Sequence, residues 1–391
     1  MSVPKARRDR AERPRPEEAR RGRLRPAKPH AVAPRPDEPR GEGSPAPGGA
    51  AGIVSKARKP LARVIDRGWY PADLLLFAYL VGTSLLMIFS PLGKDAGLKN
   101  FVFHFLLLGT VLLLHYARRN SPWPFHFFRH AYALMSLPFL YNTVQYLSRL
   151  TTERYFDDWI VGKEFVLFGC QPSQILYSAI PSIALSEFLH LAYLAYVLLT
   201  PLVALTLYFT KRYEPLKEFT TTVMATFLFC YAVFTVFPVR GPFYYFGPID
   251  PQAKGVLFPR LVHGMLTRAA SVGTAFPSSH VAGSVAIWIV ARRYLPRLSH
   301  GLLVIAAGIF FGTVYGGFHY ALDALSGVAV GVFFGLLGPK LHAWIRRIPG
   351  LAQSAAESVV LAPAPRLSYE RAAGSISRAR VARRKLRDDA D

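Results

Sequence analysis

The chain has 391 residues, 51% of them hydrophobic, with 47 Lys and Arg against 24 Asp and Glu and a formal net charge of +23. A mean hydropathy of +0.23 beside so many charges requires that the two be segregated, and they are: Arg and Lys crowd the first 68 residues, the short loops and the last stretch, while the middle runs are nearly uncharged. That distribution excludes a soluble core and argues against a nucleic-acid partner, because basic residues flanking apolar runs mark the cytoplasmic loops of a membrane protein.

In chain order, residues 1–68 read as a disordered basic cytoplasmic tail, rich in Pro, Arg, Glu and Gly. No apolar stretch follows its charges until Ala72, so it is no cleavable signal peptide. Residues 69–348 form the membrane domain. Crossing the hydrocarbon takes roughly 20 mostly apolar residues, and candidate spans run near 72–90, 101–117, 127–148, 183–209, 219–238, 275–291, 301–318 and 321–344. Arg129 and His130 open the third, a place that fits snorkelling to the cytoplasmic interface. Basic residues then fall at alternate turns: Lys56, Arg58, Lys59 and Arg63, then Arg118 and Arg119, Lys211 and Arg212, Arg292, Arg293 and Arg297, and Arg346 and Arg347. Under the positive-inside rule this predicts an all-α bundle of about eight spans with both termini cytoplasmic. Residues 349–391 read as a second basic cytoplasmic tail. Cys170 and Cys230 have neither metal-ligand spacing nor the placement of a structural disulfide.

Two longer segments lie on the outer side. Residues 149–182 hold Asp157, Asp158, Trp159 and Leu167-Phe168-Gly169, which predicts an amphipathic helix on the membrane face. Residues 239–274 start with Arg240-Gly241-Pro242 and form a long loop of the kind that builds lids and substrate walls.

The chemistry sits in three pieces that charge counting alone brings to this outer face: Arg240, the turn Phe276-Pro277-Ser278-Ser279-His280, and His319-Tyr320-Ala321-Leu322-Asp323. His319 and Asp323 are four apart and share one helical face. A carboxylate on one imidazole nitrogen leaves the other basic and directed, the pattern of an activated nucleophile. His280 suits a general acid for a departing alkoxide. The Ser278-Ser279 turn, opening a helix, offers backbone N–H groups to a phosphate, and Arg240 supplies a fixed cation. Other readings stand beside these. A Pro-Ser-Ser turn is also an ordinary helix cap, and His280, His319 and Asp323, with His263, could ligate a divalent ion. The same histidines could relay protons in a transporter, although no pair of related halves is visible. Ser278, Ser279 and Ser284 near His280 raise an intramembrane serine protease only faintly, since no oxyanion-hole motif accompanies them.

The Phe-Pro-Ser-Ser-His turn, followed about forty positions later by His-Tyr-Ala-Leu-Asp, resembles the type-2 phosphatidic acid phosphatase superfamily. Within it, Leu167-Phe168-Gly169-Cys170-Gln171-Pro172 and Ser186-Glu187-Phe188-Leu189-His190-Leu191-Ala192-Tyr193 are similar to the inositolphosphotransferase branch that includes inositol phosphorylceramide synthase. The resemblance covers roughly residues 155–335. It implies a six-helix phosphatase-type core, a phosphohistidine on His319, orientation by Asp323, proton donation by His280, an arginine role for Arg240, and no metal or other cofactor. The superfamily's first motif has a lysine where this chain has Val233, and its third an arginine where this chain has Thr313. Loss of two cations favours a singly charged phosphodiester over a phosphomonoester. The expected function is a lipid phosphotransferase moving a phospho-headgroup, phosphoinositol first, from a phospholipid donor to a lipid acceptor. A phosphatase acting on phosphatidate or a polyprenyl (di)phosphate is the alternative. Asn142, with Tyr141 and Gln145, and Glu187 with His190 are placed to bind the headgroup or to pack between helices. The Arg-, Ala- and Pro-rich tails point to a bacterial inner or plasma membrane with the site on its extracytoplasmic face.

Overall fold

The computed structural model describes residues 69–90, 97–115, 123–247, 255–269 and 271–348; the two tails and the Arg118-Arg119 turn lie outside the described residues. Twelve helices are described: α1 (Pro71–Phe89), α2 (Gly97–His115), α3 (Trp123–Arg149), α4 (Asp157–Phe168), α5 (Pro172–Ala179), α6 (Ile183–Phe209), α7 (Tyr213–Val236), α8 (Pro242–Tyr245), α9 (Phe258–Ala269), α10 (Ser279–Tyr294), α11 (Pro296–Tyr315) and α12 (Ala321–Ile345). Among the described residues there is no strand, only one isolated bridge between Val239 and Thr274. Five helices, α1, α6, α7, α11 and α12, are long and apolar enough to cross a membrane by length and composition. The other three expected spans coincide with α2, α3 and α10, which are helical but shorter in apolar run or interrupted by polar residues. The sixth expected span begins later than its hydropathy suggests, because Phe276–Ser278 form a turn and Ser278 caps α10 by accepting from Val281 N.

α7 is the central helix, buried along most of its length, with α1, α3, α10 and α12 packed round it. α10 and α12 run together along a stripe of small residues. A Cβ added at Gly327 would stand 2.6 Å from Ser278 O, one at Gly331 2.6 Å from Ala282 O, and one at Gly335 2.8 Å from an Ile289 methyl. Lipid tails are as apolar as leucine, so spanning helices gain from close backbone approach rather than from burial. This stripe brings the N-termini of α10 and α12 together, and Ser278 N donates to Asp323 O at 3.0 Å.

One expectation changes. Arg129 does not snorkel. It is 1% exposed and holds Asp73 of α1 with two bonds of 3.0 and 2.6 Å, its guanidinium 3.7 Å from the centre of the Tyr70 ring. A guanidinium this far inside the bundle is tolerated because a carboxylate meets it bidentately. A helix is found within 149–182 as expected: α4 leaves Trp159, Phe165, Val166, Leu167 and Phe168 exposed and buries Asp157, Ile160 and Glu164. Lipid, not water, is the medium that such an apolar exposed face suits.

Candidate active site

The His319 loop follows α11, whose last turn runs into Gly316 and Gly317, the latter at φ 73°. His319 N donates to Thr313 O at 3.0 Å, which anchors the loop to the helix end. The imidazole Nδ1 lies 3.0 Å from Ala275 O and 3.5 Å from Asp323 Oδ2. A carbonyl only accepts, so Nδ1 carries the proton and Nε2 the lone pair. The shorter of the two contacts is thus made by the backbone carbonyl just before the Phe276–His280 turn, and Asp323 places a buried carboxyl group behind it. Burial pushes the His319 pKa down to about 4 against the opposing pull of the Ala275 bond, so the ring is neutral at neutral pH. Asp323 Oδ2 also accepts from Tyr320 N at 3.0 Å, closing the first turn of α12, and Oδ1 has no hydrogen-bond partner among the described residues.

His280 opens α10 across from His319, the ring centres 5.6 Å apart. Tyr193 stacks on it at 5.0 Å and Tyr196 lies at 4.4 Å, both from α6. The Tyr193 hydroxyl is 3.4 Å from His280 Nε2.

Arg240 enters from the end of α7. The bridge between Val239 and Thr274, with Ala275 N donating to Val239 O at 2.9 Å, ties its loop to the turn whose carbonyl holds His319. Asp157 of α4 accepts from Arg240 N at 3.1 Å, Arg240 Nε at 3.3 Å, Gly241 N at 3.0 Å and the Tyr320 hydroxyl at 3.1 Å. One carboxylate therefore binds the first and third motifs to each other. Gly241 has φ 87°, and a Cβ there would stand 3.0 Å from Phe318 O, so both its conformation and the close approach demand glycine. The Arg240 side chain stays 35% exposed between the rings of Tyr155 and Tyr245, and among the described residues its tip has no hydrogen-bond partner.

Of the sequence-predicted residues, Arg240, Ser278, Ser279, His280, His319 and Asp323 come together. Ser278 is spent on the turn itself, with its N–H on Asp323 O and its hydroxyl on the α10 cap. Ser279 and Asn142 line the same cavity as His280. Glu187 and His190 stand behind the site. Glu187 accepts from the backbone N–H groups of Val256, Leu257 (2.8 Å) and Phe258 (2.9 Å), so it caps α9. His190 Nδ1 donates to Ser186 O at 2.7 Å, and its ring meets Phe318 edge-on. Sequence reasoning missed Asp157 and Glu164 as parts of the site. Their signal was present: two carboxylates seven apart, and so on one face of a helix whose last four residues are apolar. Glu164 Oε1 accepts from Leu322 N at 2.9 Å at the head of α12. Among the described residues no group of three His, Cys, Asp or Glu is gathered closely enough to hold a metal ion.

From His280 a cavity of about 670 Å³ runs between α3, α6 and α7, lined almost wholly by apolar and aromatic side chains.

Residues 168–337 match the family model described as the PAP2 superfamily. The matched stretch includes Arg240, His280, His319 and Asp323. A Dictyostelium discoideum protein described as a PA-phosphatase related-family protein is 30% identical over 131 residues, which are 32% of this chain and 24% of the relative. The chain thus spans about a quarter of the length of the relative it matches. No solved structure matches.

Proposed function

We propose that this chain is an integral-membrane lipid phosphotransferase that carries a phospho-headgroup, phosphoinositol first, from a phospholipid to a lipid acceptor through a phosphohistidine on His319. The observation that carries the reading is the His319 ring, held through Nδ1 by Ala275 O and Asp323, with its Nε2 lone pair left to attack and His280 across from it. In the first step Nε2 forms a bond to phosphorus, the bond to the lipid oxygen breaks, and His280 gives its proton to that alkoxide. In the second the acceptor hydroxyl gives its proton to His280, its oxygen bonds to phosphorus and the P–N bond breaks. Arg240, fixed by Asp157 yet open at its tip, balances the equatorial oxygens. Val233 and Thr313 stand where the superfamily has cations, which suits a singly charged diester. The PAP2 match supports the membrane lipid phosphatase and phosphotransferase class, and the apolar helices support a multi-pass protein. In this reading α2, α3 and α10 complete eight spans, both termini are cytoplasmic, and the site opens on the extracytoplasmic face of a bacterial inner or plasma membrane.

The test is lipid turnover by the purified full chain in detergent with EDTA, supplied with labelled phosphatidylinositol and ceramide. The expected result is a new phosphoinositol lipid that disappears, by at least about 10³-fold in rate, in His319→Ala. Release of inositol phosphate or free phosphate, also His319-dependent, replaces the transferase with a phosphatase. Turnover that persists in His319→Ala removes the phosphohistidine.

A further inference from the structure

The cavity that begins at His280 is longer than one leaflet. Its lining on α3 runs from Phe127 to Asn142, on α6 from Tyr193 to Tyr208 and on α7 from Leu216 to Tyr231. Each of these stretches covers fifteen residue steps, about 22 Å at the helical rise. The hydrocarbon core is about 30 Å thick, so half of it is about 15 Å. A tail that starts at the catalytic histidines and fills this space crosses the bilayer midplane.

The sequence explains why the space exists. α3 contains Pro138 and α6 contains Pro201, and both line the cavity from facing walls. Proline withholds an N–H from the helical ladder and its ring presses on the preceding turn, which bends a helix. Small residues widen the inner half, Ala131 on α3 and Thr200 and Ala204 on α6. At the far end the Nδ1 atoms of two histidines are occupied. His126 Nδ1 meets the Tyr208 hydroxyl at 2.9 Å and His130 Nδ1 meets His126 O at 2.9 Å. The floor therefore offers ring faces rather than a headgroup site, and an apolar chain is the occupant that the walls fit.

We propose that this cavity is a chain-length ruler for the lipid alcohol joined to the phosphate, selecting a tail that passes the bilayer midplane, as in a polyisoprenyl or very-long-chain lipid. This rests on the phosphotransfer reading above. The geometry ties tail and chemistry together, because His280 both borders the cavity mouth and faces His319. The oxygen that receives the His280 proton is the one that carries the tail, so the tail leaves the site directly into the space between α3 and α6.

The experiment measures kcat/KM for lipids of one headgroup but different tails: short and long polyisoprenyl phosphates in one arm, and phosphatidylinositols of short and very long acyl chains in the other. The arm in which length matters identifies the source of the tail. Wild type is expected to favour the long member at least tenfold in one arm. Ala204→Trp and Ala131→Trp, which plug the inner half from opposite walls, are expected to lower the long-to-short ratio to near one. Leu198→Trp, which faces outward at 65% exposure and is not part of the lining, is expected to leave the ratio as in wild type. Equal rates for short and long tails, or a ratio untouched by both plugs, overturns the ruler while leaving phosphotransfer in place. If no lipid is turned over, the catalytic reading fails separately, and binding still decides the ruler. A long-tailed lipid carrying a photoreactive group at its tail end should label peptides around Phe127 and Tyr208 in the His319→Ala protein. Labelling confined to outward-facing positions would sink the proposal.

Discussion

The same four-residue device opens two helices of this protein and does different work in each. Tyr70-Pro71-Ala72-Asp73 starts α1 and Tyr320-Ala321-Leu322-Asp323 starts α12. In both, the aspartate at the third helical position accepts from the backbone N–H of the tyrosine, at 2.8 Å from Tyr70 and 3.0 Å from Tyr320. This satisfies one of the donors that every helix start leaves open. The difference lies in what surrounds the carboxylates. Both oxygens of Asp73 are taken, by Arg129 and by the Tyr132 hydroxyl as well as by the cap. Asp323 meets only its cap and the His319 ring at 3.5 Å, and its second oxygen is buried without a partner among the described residues. A closed pair holds helices together. An open one keeps an acceptor in reserve for a ring that gains charge, which is the explanation we give for a buried oxygen without a partner at this point of the fold.

The largest effects should separate the two aspartates. Asp323→Asn keeps an acceptor for Tyr320 N but removes the carboxyl group behind His319. We expect kcat to fall on the order of 10³-fold, as when an orienting carboxylate is neutralised, with the thermal midpoint moved by no more than a few degrees. Asp73→Asn leaves Arg129 buried against a neutral partner. It should cost about 3–5 kcal/mol of stability while the folded fraction keeps kcat within about twofold. Paired thermal and kinetic measurements on the two variants decide the matter. If Asp73→Asn loses kcat without losing stability, the contrast drawn here is wrong.

Asp157→Asn should come next. Its carboxylate positions Arg240 through the backbone and through Nε and reaches Tyr320 at the head of α12. Displacing such a group by about 1 Å can cost on the order of 10²-fold. We expect kcat/KM to drop about 10–100-fold, with most of the loss in KM, since Arg240 remains present but no longer aimed. A loss confined to kcat with KM unchanged would place Arg240 outside substrate binding.

Much of this was readable from the chain. Each of the eight apolar runs coincides with a described helix, and five of these helices are long and apolar enough to cross a membrane, where a backbone must satisfy its own hydrogen bonds within one segment. The spacing of His319 and Asp323, and the shared side to which loop charge assigned the three motif pieces, pointed to the residues that come together. What sequence did not carry depends on partners far along the chain. Arg129 reads as an interfacial cation until Asp73, 56 residues earlier, closes on it. Ala275 supplies a carbonyl to His319 from 44 residues away, and no side-chain pattern marks a carbonyl. Glu187 looks like a headgroup ligand on α6 until the backbone of Val256–Phe258 arrives to take both its oxygens.

The smallest predicted effect tests Glu164, the second carboxylate on the buried face of α4. Burial raises its pKa above the usual 4.5, and the nearby Asp323 charge adds to that, against the pull of its backbone bonds to Leu322 and Ala321. A carboxyl whose folded pKa lies above its unfolded value favours folding when protonated. Its contribution is full below about pH 4.5 and is lost as pH rises through the folded value. Glu164→Gln retains an acceptor for Leu322 N and holds the group neutral at every pH. Thermal midpoints of wild type and variant should therefore coincide at low pH and separate above it, with the variant the more stable by a few degrees at neutral pH. The opposite sign would mean that Glu164 serves the folded protein as an anion. In that case it would stabilise the head of α12 by charge as well as by its hydrogen bond, and α4 would hold two working carboxylates where Asp73 and Asp323 show only one open and one closed.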